Sequence, residues 1–143
     1  MAATTSSPHA PALDPVVVAR LRALTTSVAR PGEDLPGHLV SLFRSEGDRL
    51  ANELRTAWRE GRLDDARRYA HTLKGSARNV GATAAAEAAA RAEAAVGAHA
   101  AHGNDVDVDV VDVVDVAVGD IVTAVAVAAT ALAAAFAAEE GAP

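Results

Sequence analysis

The feature that most limits what this chain can fold into is its shortage of large side chains. Half of its 143 residues are apolar, yet only 3% are aromatic. Alanine, leucine and valine supply the rest. A core built from them has to be closed by backbones that approach one another closely. Alanine is also the strongest helix former, so the composition favours packed helices over a β-sandwich. The length suits a single domain. Cysteine is absent, which removes disulfide frameworks, thiol chemistry and the Cys-based zinc motifs. A reducing, cytoplasmic setting is expected.

Charge divides the chain in two. The net charge of −6 argues against a general nucleic-acid binder. All 13 basic residues and 11 of the 19 acidic ones precede Gly97, and the other 8 acidic residues follow with no cation among them. Chemistry on anions is therefore expected in the first two thirds. Lys74 is the only lysine; every other cation is an arginine.

Residues 1–12 carry neither a basic n-region nor an apolar h-region, and read as a disordered leader rather than a signal peptide. Asp14-Pro15 is a helix start, an N-cap followed by proline at the first helical position. Leu13, Val17, Leu21 and Leu24 continue at helical spacing. Pro36, close behind Glu33 and Asp34, opens a second helix with the stripe Leu39, Leu42, Phe43, Leu50, Leu54, Ala57 and Trp58. Gly61 ends it near Glu60. A third helix follows from Asp64 and Asp65 to about Val80. A fourth, nearly all alanine, spans about Thr83 to Val96 with Glu87, Arg91 and Glu93 on its surface. Residues 97–111 read as a loop or irregular segment, in which Asp105 to Val110 alternates like a strand. A fifth helix is expected from about Asp112 to Ala138, leaving 139–143 as a tail. Short helices with short connections give an all-α, antiparallel four-helix bundle over residues 13–138, with a short additional N-terminal helix.

The third helix carries the chemistry. At about 100° per residue, Asp64, Arg67, Arg68, Lys74, Gly75 and Arg78 all fall within about 60° of His71. Ala66, Tyr69, Leu73, Ala77 and Val80 lie opposite and face the bundle. One imidazole thus stands among four cations. Glycine in a helix interior costs roughly 1 kcal/mol against alanine, and this chain uses alanine almost wherever it can. A missing side chain at Gly75, one turn from His71, gives another protein access to the ring. An imidazole is a nucleophile near neutral pH, and the surrounding cations suit an anionic group placed on it.

The run Ala70-His71-Thr72-Leu73-Lys74-Gly75-Ser76, with Gly81-Ala82 behind it, resembles the signature of histidine phosphotransfer (HPt) domains. The likeness reaches upstream through Leu13-Asp14-Pro15, Leu42-Phe43 and Gly61 to Asp65, and covers about residues 13–96. It implies a four-helix bundle with a short N-terminal helix, and a carrier that shuttles phosphoryl groups between receiver-domain aspartates, or from a hybrid kinase to a response regulator. It makes His71 the phospho-acceptor, Lys74 the charge partner of the phosphate, and Gly75 the clearing for the partner. The fourth helix is poorer in bulky residues than the family's, and the Asp/Val segment has no counterpart in the pattern.

Arg67, Arg68 and Arg78 read either as a solvated face paired with acids such as Asp64 or as a dock for the acidic rim of a receiver domain. His99 and His102 have i, i+3 spacing without a third ligand, so no metal is expected. Asp105, Asp107 and Asp109 open like a calcium loop, but Val110 and Val116 stand where glycine and glutamate belong. Ile121 to Ala138 is uncharged but lacks flanking cations and aromatics, and reads as a core helix rather than a membrane span. No Gly-rich phosphate loop is present. The expectation is therefore a monomeric carrier without an ATP site or cofactor of its own, with Mg²⁺ on the partner receiver. A receiver-binding scaffold that is never phosphorylated, and a self-associating or membrane-tethered helical protein, are the alternatives.

Overall fold

The computed structural model describes residues 11–102 and 109–140. They form five helices: α1 (Pro15–Val28), α2 (Leu35–Arg59), α3 (Leu63–Asn79), α4 (Thr83–His102) and α5 (Asp109–Glu140). No strand occurs among the described residues. Each of α2 to α5 packs on two neighbours, in the order α2, α3, α4, α5 and back to α2. That closed ring is a four-helix bundle, with α1 resting lightly on α2 and α5.

The helix starts follow from local chemistry. The Asp14 carboxylate accepts from the Val16 amide at 2.9 Å, and the Asp34 carboxylate accepts from the Gly37 amide at 3.0 Å. Each satisfies an amide that has no partner inside its helix. Gly61 and Gly81 end α2 and α3 with φ of +74° and +75°, a conformation that favours glycine. The Asp14 amide donates to the Gly81 carbonyl at 2.6 Å, which ties the start of α1 to the α3–α4 turn.

Alanine fills the core as the composition demands. Ala85, Ala86, Ala88, Ala89 and Ala92 on α4 are buried, and α5 brings Val114, Val118, Ile121, Val125 and Leu132 into the same core. Backbones approach closest between α2 and α5, where a Cβ on Gly47 would lie 2.9 Å from a Val125 methyl. Val113–Ala138 is long and apolar enough to cross a membrane, with a mean hydropathy of 2.2, and a third of its most apolar stretch is buried in the bundle.

Several boundaries and faces differ from the sequence reading. The fourth helix does not stop at Val96 but runs through Gly97 to His102, so residues 97–102 are not a loop. The glycine penalty is offset there by the burial of Val96 and by His99, whose ring meets Trp58 edge-on at 5.0 Å. The fifth helix begins at Asp109 and ends at Glu140, so the expected tail starts inside it, and Asp109 and Val110 are helical rather than strand. The rest of the strand-like alternation, Asp105 to Asp107 and Val108, lies outside the described residues, as does most of the expected leader. Leu24 and Leu42 are not core residues; they are 59% and 57% exposed. Leu42 adjoins buried Phe43, and one helical step of about 100° turns one outward as the other turns in. On α1 the buried residue is Val18, not Val17.

Candidate functional site

The apolar residues Ala66, Ala70, Leu73 and Ala77 bury one face of α3. Their spacing turns His71 to the opposite side, where its side chain is 68% exposed. Gly75, one turn on, is exposed, and a Cβ built there meets no atom within 4 Å. Nothing inside the molecule requires glycine at this position, which leaves the space above the ring as its physical consequence.

The ring is not held by α3 alone. Glu93 of α4 places one carboxylate oxygen 3.0 Å from His71 Nδ1 and the other 2.7 Å from Lys74 Nζ. One carboxylate therefore bridges the imidazole and the ammonium across two helices. A carboxylate only accepts hydrogen bonds, so the ring proton facing it sits on Nδ1. The lone pair is then on Nε2, at the outer end of an exposed ring. The Lys74 hydrogen bond holds the Glu93 carboxyl below its ordinary value of 4.5; burial opposes this and His71 adds to it. Glu93 is thus a carboxylate at neutral pH.

Sequence reasoning put Glu93 on the surface of the fourth helix and gave it no role. The missing information was the register of the hairpin. His71 lies eleven residues before Ala82 and Glu93 eleven residues after it, which places them at one height once the chain folds back at Gly81. One of few charged residues in an alanine helix, at that mirrored position, was the available signal.

Lys74 is only 20% exposed, and its charge is directed at Glu93. Among the expected docking arginines, Arg68 pairs with Asp65 at 3.0 Å, not with Asp64, and lies 5.5 Å over the Tyr69 ring. Arg67 and Arg78 are exposed and carry no ion pair among the described residues. His38 is exposed on α2, and His99 is packed against Trp58. Among the described histidines, only His71 combines exposure with a carboxylate on one ring nitrogen.

A family model for the Hpt domain matches residues 38–137. The chain belongs to the Hpt domain family. The match starts in α2 and runs through α5, further along the chain than the motif likeness, and it leaves α1 outside. The last helix thus belongs to the domain as the fourth wall of its bundle, although it carries no motif. No curated protein and no solved structure matches the chain. Hpt domains are phosphocarrier modules of two-component signalling. They interact with receiver domains and have no catalytic ATP site.

Proposed function

We propose that this Hpt domain carries a phosphoryl group on Nε2 of His71, receiving it from the aspartyl phosphate of one receiver domain, or from a hybrid kinase, and passing it to another. The observation that carries this reading is the open Nε2 of a ring whose other nitrogen is held by Glu93.

In the transfer the Nε2 lone pair forms a bond to phosphorus as the bond from phosphorus to the aspartate oxygen breaks. The electron pair leaves with the carboxylate, and the ring, which keeps its Nδ1 proton, becomes cationic. Glu93 is already in place against that proton. A charge-assisted contact of this kind contributes on the order of 1 kcal/mol after solvent screening. It favours the charged ring over the neutral one and so acts on the transfer itself. The reverse step returns the bond pair to Nε2. Gly75 leaves the receiver room to bring its aspartate in line. Arg67 and Arg78 present uncompensated charge to an acidic rim, while Arg68 is partly neutralised by Asp65. Mg²⁺ for aspartyl phosphate chemistry belongs to the receiver, and the carrier works in the cytoplasm.

The test is phosphotransfer from a panel of phosphorylated receiver domains. An acid-labile phosphate should appear on His71, and His71→Gln should abolish it while leaving the helical circular dichroism unchanged. Receiver binding without any label would instead make the protein a scaffold. Label persisting on His38 or His99 in the Gln variant would overturn the assignment.

A further inference from the structure

Lys74 is the residue whose role the geometry redefines. The HPt likeness makes it a cation for the phosphate, but its ammonium lies 2.7 Å from Glu93 Oε2, and Glu93 in turn lies 3.0 Å from Nδ1. Both contacts are on the Nδ1 side of the ring. The phosphoryl group of the reading above would be on Nε2, across the ring. We propose that Lys74 is a positioning residue acting through Glu93: it fixes the carboxylate that fixes the His71 tautomer, instead of contacting the phosphoryl group.

Three observations support this chain of action. Lys74 Nζ is the nearer of the two partners of Glu93, and its hydrogen bond is the largest influence on that carboxyl. Lys74 and Glu93 are similarly sheltered, at 20% and 18% exposure, whereas His71 is open at 68%. A sheltered pair is less weakened by salt than an exposed one. Lys74 has no second acidic partner among the described residues, so its restraint is concentrated on Glu93. Without it the carboxylate keeps only an exposed ring as partner, and rotation about its own side chain can break that contact.

This inference rests on His71 as the phospho-acceptor, and the experiment separates the two. In full-length protein the His71 tautomer is read from imidazole ¹⁵N shifts at a pH where the ring is neutral, for wild type, Lys74→Met, Glu93→Ala and the double variant. Lys74→Met should lower the ratio of Nδ1-protonated to Nε2-protonated ring roughly two- to fivefold, the effect of a screened ion pair. In the Glu93→Ala background the same change should do nothing further. Lys74→Arg, which can still reach the carboxylate, should restore most of the wild-type ratio.

A second arm measures labelling by phosphoramidate, a small phosphoryl donor, for the same variants. The loss caused by Lys74→Met should vanish when Glu93 is already Ala. An unchanged tautomer ratio in Lys74→Met, or equal labelling losses in both backgrounds, would overturn the proposal and return Lys74 to the phosphoryl group. Absence of any label on His71 would strike only the phosphocarrier reading, because the tautomer arm involves no phosphate.

Discussion

Glu93 joins the chemistry of the site to the stability of the fold. Its carboxyl is held below 4.5 in the folded chain, first by Lys74 and further by His71, against a smaller opposing effect of burial. In the unfolded chain neither partner is present. A depressed carboxyl stabilises the fold fully above its unfolded value, and that contribution is lost as pH falls through the lower folded value. Both partners are cations when protonated, so acid does not create a replacement interaction; it only removes the carboxylate. The difference in thermal midpoint between wild type and Glu93→Gln should therefore be constant around neutral pH and close on acidification below 4.5. Thermal melts across that range check the sign, and a difference that widened in acid would contradict it.

At the scale of the helix, α3 has to be regular enough to hold its core face and bare enough to admit a partner. Gly75 embodies the conflict. Its position is helical and a Cβ would meet nothing within 4 Å. Gly75→Ala should accordingly raise stability by up to ~1 kcal/mol, by helix propensity and reduced freedom of the unfolded chain. Gly75→Gln should fold as well but slow transfer from a receiver while sparing labelling by a small donor, because only the larger partner needs the clearing. Chemical denaturation and the two labelling rates check both halves. The two faces of this helix were legible in the sequence because 3.6-residue periodicity acts within one element. The capped starts at Asp14 and Asp34 were legible for the same reason. Glu93 was not, since it matters only through a neighbouring helix. The extension of α4 past Gly97 escaped as well: a local cost of roughly 1 kcal/mol was outweighed by the contact of His99 with Trp58, two residues far apart in sequence.

For the molecule as a whole, the alanine-rich composition that excluded a sandwich also sets how the bundle tolerates change. Its helices are held close by small residues, so the same substitution has opposite consequences inside and outside the ring. Gly47 and Gly75 are both glycines within helices, and in isolation alanine would favour each helix by up to ~1 kcal/mol. Around Gly47 there is no space: a Cβ would lie 2.9 and 3.1 Å from the two Val125 methyls. Valine is branched at Cβ and cannot swing away as a long side chain could. Either its rotamer must change or α2 and α5 must separate, and overpacking of this kind costs ~1–3 kcal/mol. Gly47→Ala should therefore destabilise the protein by about 1 kcal/mol after the propensity gain is included. The decisive comparison is Gly47→Ala in a Val125→Ala background. Removing the methyls opens the space that the new Cβ needs, so the substitution there should be neutral or stabilising, like Gly75→Ala. Four unfolding free energies make the cycle, and a coupling near zero would mean that α2 and α5 are not in van der Waals contact at this level. A large coupling would show the fourth wall of the bundle held against the second by glycine, with the relay face on α3 left free of that constraint.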